Sequence, residues 1–210
     1  RMVNNLGTET RIQYAPSSKF YLQDKQDGKP WITRLPYPVH VVERVETLDH
    51  ISRNHFAARY AYHHGYFDGE EREFRGFGMV EQWDTEQIGA LTGNSAMPEA
   101  TNLDPAFNVP PIHTKTWYHT GIYTDRKHVS DFFAGLLNSD DTGEYYRTLG
   151  LSDDETEALL LPDTVLPPSL TLDEEREACR ALRGQMLRQE VYTDDAGPEA
   201  TPEQIQRALT

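Results

Sequence analysis

A single cysteine, Cys179, leaves the sequence with neither an intrachain disulfide framework nor a multi-cysteine zinc site. No run approaches the roughly 20 apolar residues that a membrane-spanning helix needs, and no signal-peptide core opens the chain. Basic residues are scarce: 20 Lys+Arg stand against 34 Asp+Glu, a formal net charge of −14, which argues against nucleic acid as a partner. Apolar residues are few for a self-sufficient globule, 37% of 210, with a mean hydropathy of −0.69. At 10%, however, aromatic residues are too many for a disordered acidic chain. A Gly-x-Ser-x-Gly nucleophile elbow and a His-Glu-x-x-His metal helix are both missing.

What is present is unevenly placed. Residues 1–135 carry 14 basic and 17 acidic side chains, and residues 136–210 carry 6 and 17. Of 22 aromatics only Tyr192 follows Arg147, and all eight histidines lie at or before His128. Core-building material therefore sits in the first two-thirds, and the last third reads as acidic, aliphatic and more helical. The sequence opens at Arg1-Met2 and its helix-like stretch from Pro202 to Thr210 ends without punctuation, which reads either as an arbitrary boundary or as a segment of a longer protein.

Period-two alternation and β-branched or aromatic enrichment predict strands over Thr8–Tyr14, Lys19–Gln23, Val39–Leu48, His55–Tyr66, Phe74–Trp83 and His113–Tyr123. Turn chemistry separates them at Asp27-Gly28-Lys29-Pro30, Asp49–Asn54 and Asp68-Gly69. Gly89–Pro111 reads as loop, and Val129–Leu137 as a short helix. Ser152 with Glu155, and Thr171 with Glu174, have capping-box spacing ahead of helical runs. In the second run Ala178, Leu182, Gln185 and Met186 form a modest apolar stripe, and Leu187–Thr193 reads as a return strand. The expected fold is mainly β, a curved antiparallel sheet with a helical insertion near the C-terminal third. Its divisions fall at 1–150 (β-rich), 151–193 (two short helices and a return strand) and 194–210 (loop and short helix).

Several clusters invite chemical readings. Asp68, Glu70, Glu71 and Glu73 place four carboxylates within six residues, which suggests an acid/base pair of the glycosidase type. With Arg72 and Arg75 beside them, a solvated or salt-bridged turn is the simpler account. Calcium at Asp68, Glu70 and Glu73 lacks the 12-residue loop spacing. Gly76-Phe77-Gly78 lacks the third glycine and following helix of a phosphate loop, so strand glycines fit better. His63 and His64 are neighbours on a strand and should point to opposite faces, away from a common metal. His113, His119 and His128 form no ligand pattern. Cys179 lies among Arg176, Arg180 and Arg183, whose charge would lower a thiol pKa, but packing on an apolar stripe is the plainer reading. Trp31, Trp83 and Trp117 offer either a glycan- or partner-binding platform or sheet packing. No catalytic, cofactor or metal residue is assigned.

Longer runs carry more. Tyr62-His63-His64-Gly65-Tyr66-Phe67-Asp68-Gly69-Glu70-Glu71-Arg72-Glu73-Phe74-Arg75-Gly76-Phe77-Gly78-Met79-Val80-Glu81-Gln82 resembles the hallmark segment of the B component of bacterial insecticidal toxin complexes. Lys19–Lys25, Gly28–Trp31, Leu35–Glu43, Thr114–Gly121 and Glu175–Tyr192 are similar to that family too, in family order. The resemblance implies a middle region of a very large secreted virulence protein. That region lies between a β-propeller that docks on the channel-forming A component and a hollow shell related to RHS (YD) repeats. The shell, made with the C component, encloses the C component's toxic piece. By that resemblance residues 1–150 belong to the β-rich middle region, and the sheet is part of the shell wall or its junction with the propeller. The partners are then the C and A components, with no enzymatic role and no cofactor. The structural motif expected to matter comprises Tyr66, Asp68, Gly69, Glu70, Phe74, Gly76 and Gly78. Asp68-Gly69 should close a hairpin, with Tyr60, Tyr62, Phe74 and Phe77 in cross-strand aromatic contact. An independent binding module is the alternative.

Overall fold

The computed structural model describes residues 1–85, 100, 112–135, 143–148, 150–193 and 208–209. The elements are β1 (Met2–Val3), β2 (Thr8–Pro16), α1 (Ser17–Gln26), β3 (His40–Asp49), β4 (Asn54–Asp68), β5 (Glu73–Thr85) and β6 (Ile112–Tyr118). They continue with α2 (Asp153–Glu157), α3 (Leu172–Ala181), β7 (Met186–Thr193) and β8 (Ala208–Leu209). Among the described residues the strands form one open antiparallel sheet in chain order, β1 to β8. The fold is mainly β with a helical insertion in the last third, as the residue pattern predicts.

The long central pair β4–β5 runs from Ala57↔Thr85 to Asp68↔Glu73. Its register shifts between Tyr66 and Phe67: Tyr66 faces Gly76 and Phe67 faces Phe74, so Arg75 is an extra residue on β5. Gly76 takes φ +97 beside it. A bulge with glycine in that conformation bends its strand and re-aims the neighbouring side chain.

Three segments depart from the sequence reading. Lys19–Gln23 is not a strand but the middle of α1. Pro16 sits at its N-cap, the Ser17 hydroxyl accepts the Val39 N–H at 3.0 Å, and Phe20 is buried against Ala15, Val41 and Ala61. With Phe20 the one buried apolar residue of the helix, its helical periodicity is too weak to be legible. Residues 129–135 form turns instead of a helix. The Asp163 carboxylate accepts the N–H groups of Val129 and Ser130 at 2.8 and 2.7 Å, and Gly135 has φ +85, which ends any helical run. The stripe on the late helix holds only in part: Ala178 and Leu182 pack against the Val129, Leu166 and Cys179 cluster, but Gln185 and Met186 lie beyond the helix. α3 ends at Ala181, its buried positions are Glu175 and Cys179, and Met186 is exposed in β7. Both predicted capping boxes are present: Ser152 with Glu155 opens α2, and Thr171 with Glu174 opens α3. Much of 194–210 and of Gly89–Pro111 lies outside the described residues, but Ala208–Leu209 is strand and not helix.

The core is divided. One cluster packs Ala15, Phe20, Val41 and Ala61 under α1; a second joins Met79, Trp117, Phe132 and Phe133; a third joins Val129, Leu166 and Cys179. Small separate clusters under loops and one helix suit a polar sheet better than a single two-layer core does.

Candidate functional site

Two constellations gather polar side chains. The first is the β4–β5 hairpin and what it touches. Asp68 ends β4, and its Oδ1 accepts the N–H groups of Glu70 and Glu71 at 3.0 and 3.1 Å, forming an Asx-type turn. Its Oδ2 lies 2.9 Å from Nη2 of the bulged Arg75, with both side chains buried. Arg75 Nη1 donates to the Gly121 carbonyl at 2.8 Å, so one guanidinium ties the hairpin to the chain after β6. Burial pushes the Asp68 carboxyl up, but the two backbone N–H groups, Arg75 and Arg176 hold it below the ordinary carboxylate value.

The rest of the carboxylate cluster meets α3 and the turn after it. Glu70 pairs with Arg176, Glu73 with Arg183, and Arg183 Nη2 donates to the Phe74 carbonyl at 3.1 Å. α3 is anchored in turn through Gly184 N–H to His119 O at 2.8 Å and His119 N–H to Gln185 O at 2.9 Å. The arginines around Cys179 are thus directed at the hairpin. Burial, with Glu175 and Asp163 nearby, pushes the thiol up to about 11, against the lowering that sequence proximity suggests.

The predicted motif residues resolve into different roles. Tyr66, Asp68 and Glu70 line a small cavity of about 290 Å³ against α3. Gly76 is required by its positive φ, and Gly78 by space: a Cβ there would sit 2.7 Å from Phe133 Cζ and 3.0 Å from His64 Cβ. Gly69 is different, with nothing within 4 Å of its added Cβ and no positive φ. The left-handed residue of the turn is Arg72, φ +53. Phe74 meets Phe77 at 5.6 Å and Phe77 meets Tyr62 at 5.0 Å between ring centroids, while Tyr60 stands opposite Gln82.

The second constellation is a cavity of about 810 Å³ between α1, the sheet, Phe132 and Phe133, and Gly143 and Glu144. Both His63 and His64 line it, contrary to strand alternation, because His64 adopts φ +55 and breaks the pleat. His64 Nδ1 accepts the Ile32 N–H at 3.1 Å, which places its proton on Nε2, 2.5 Å from Glu144 Oε1. Trp117 Nε1 donates to the same carboxylate at 2.8 Å. His63 Nδ1 lies 2.6 Å from Asp24 Oδ2, which also accepts Trp31 Nε1 at 2.6 Å. Glu81 faces His113 at 3.1 Å and Lys115 at 3.6 Å. Among the described residues no group of three or more His, Cys, Asp or Glu is arranged to hold a metal ion.

The tryptophans offer no free platform. Trp31 meets Tyr21 and Phe77 edge-on, Trp83 stacks on His113 at 4.4 Å with Arg59 over its ring, and Trp117 is fully buried.

The described residues thus form an open antiparallel sheet whose acidic hairpin is held by arginines. The chain belongs to the insecticide toxin TcdB family: residues 1–121 match the model of its middle/N-terminal region. Solved structures agree. A crystal structure of TcdB2-TccC3 is 32% identical with a TM-score of 0.63, covering 93% of this chain and 9% of that one. The Photorhabdus luminescens Tc holotoxin pore is 33% identical with a TM-score of 0.63, covering 93% and 8%. A TcdB2-TccC3-TEV crystal structure is 31% identical with a TM-score of 0.62, covering 93% and 8%. The chain therefore spans less than a tenth of the length of these relatives. Comparison with curated proteins gives no match.

Proposed function

We propose that this segment is a structural, non-enzymatic part of a secreted toxin-complex B component. It builds the wall of the hollow shell, or the junction between shell and propeller, that encloses the toxic part of the C component. The observation that carries the reading is its likeness, over 93% of its length, to a small fraction of TcdB2 chains solved with TccC3. The split core and the salt-bridged carboxylates support it, since the side chains that suggest acid/base chemistry are engaged by Arg75, Arg176 and Arg183. The C component is the direct partner and the A component the docking partner of the assembled toxin. RHS-type repeats belong to the neighbouring shell.

The test is co-purification of the full-length B component with its C component, with and without residues 1–210. Loss of the complex on deletion, with the remaining B chain still soluble, is the expected result. A stable, cargo-enclosing complex formed without the segment overturns the proposal.

A further inference from the structure

His63 occupies an unusual position in the large cavity. Its Nδ1 is 2.6 Å from Asp24 of α1, an acceptor already bonded by Trp31, so in the neutral ring the proton sits on Nδ1. Its Nε2 then carries a bare lone pair. That atom is buried without a hydrogen-bond partner, and the nearest charged oxygen is Glu81 Oε1 of β5 at 3.9 Å. A lone pair opposite a carboxylate is an unfavourable arrangement that one added proton reverses.

We propose that His63 is a proton-operated clasp: when its ring takes up a second proton, Nε2–H donates to Glu81, and α1 is tied through Asp24–His63–Glu81 to the centre of the sheet. The groups facing it come from every side. From α1 comes Asp24, while Lys19 on the same helix is paired with Glu43 of β3. From β5 comes Glu81, and from β6 come His113 and Lys115, both on Glu81. From residues 143–144 comes Glu144, held by His64 and Trp117. Arg59, on β4 with His63, is set over Trp83, and Asp27 and Lys29 stand at the cavity wall. Asp24 and Glu81 are the charged groups set against the two ring nitrogens, and the cations of the cavity wall are engaged elsewhere where a partner is seen: Lys19 on Glu43, Arg59 over Trp83 and Lys115 on Glu81. Burial pushes the Glu81 carboxyl up, but the His113 hydrogen bond and the charges of Lys115, His63 and His113 bring it down to about 2, so it remains an anion when imidazoles protonate. His64 is not the clasp, because the Ile32 N–H already fills its Nδ1.

The sign follows. Protonation adds a contact between His63 of β4 and Glu81 of β5 and sets a full positive charge against Asp24 of α1, so docking of α1 tightens as pH falls through the imidazole range. The test is amide hydrogen exchange of the full-length protein at about pH 7.5 and about pH 5.5, corrected for the intrinsic pH dependence of exchange. Peptides spanning Ser17–Gln26 are read against α3 as the reference. Protection of α1 should rise about tenfold at the lower pH. His63→Asn, which keeps a donor to Asp24 but cannot charge, should abolish the rise, as should Glu81→Gln. His113→Asn should retain it. A flat wild-type response overturns the proposal without any variant. So does a rise that persists in His63→Asn, or one that vanishes in His113→Asn alone.

Discussion

Arg75 reaches back to Asp68 across seven residues, its Nη2 2.9 Å from Oδ2, while its Nη1 bonds the Gly121 carbonyl at 2.8 Å. The hairpin, the end of β6 and the approach to α3 are joined at this one buried guanidinium. Replacing Arg75 with Met strands the Asp68 carboxylate in a buried site, and the expected loss is about 3–5 kcal/mol in urea unfolding. Removing both charges together, as Arg75→Met with Asp68→Asn, should cost clearly less than the single arginine change.

The Arg183–Glu73 pair should behave differently. Both side chains are 39% exposed, so water and salt screen them. A double-mutant cycle should give a coupling below about 1 kcal/mol, vanishing in high salt. A coupling as large as that of Asp68–Arg75 would show that the hairpin is held from outside.

Three glycines separate by cause. Gly69→Ala should leave the unfolding midpoint unchanged, because open space surrounds an added Cβ. Gly76→Ala should cost about 1–3 kcal/mol through its positive φ. Gly78→Ala should also destabilise, by pushing Phe133 off His64, and Phe133→Leu should partly rescue Gly78→Ala but not Gly76→Ala.

Glu81 provides a pH test. Its folded carboxyl sits at about 2, below the ordinary glutamate value. The stability it contributes is therefore present in full above about pH 4.5 and lost as pH falls towards about 2. Glu81→Gln should destabilise the protein at neutral pH, because it removes the charge that Lys115 and the His113 hydrogen bond favour. The gap between the two proteins should close across that acidic window.

Cys179 is fully buried, and its thiol is pushed up to about 11. It should resist iodoacetamide at about pH 8 in the folded protein and react once urea unfolds it. Alkylation of the native protein would mean that the arginines of α3 act on the sulfur and not on the hairpin.

Much of the sheet is legible in the residue pattern. β2 to β7 are strands where β-branched and aromatic alternation predicts them, and Ser152 and Thr171 cap the helices their spacing marks. Such signals are local: side-chain period, turn chemistry and reciprocal capping act within a few residues. The acidic hairpin is equally visible as a composition, and its residues do cluster at the turn.

What that pattern leaves open is where those side chains point. α1 has one buried apolar residue, Phe20, and owes its place to a pocket built by Val41 and Ala61 from elsewhere in the chain. Arg75 becomes the centre of the hairpin because a one-residue register shift turns it inward, and pairing register is a property of two strands. His63 and His64 share a cavity because His64 adopts a left-handed conformation that breaks strand alternation, with its Nδ1 accepting the Ile32 N–H. Composition and periodicity thus established an acidic, mainly β chain with capped late helices, since each of those forces is local. The bulge, the turned histidine and the docking of α1 arise from contacts tens of residues apart in sequence, and folding alone brings those partners together.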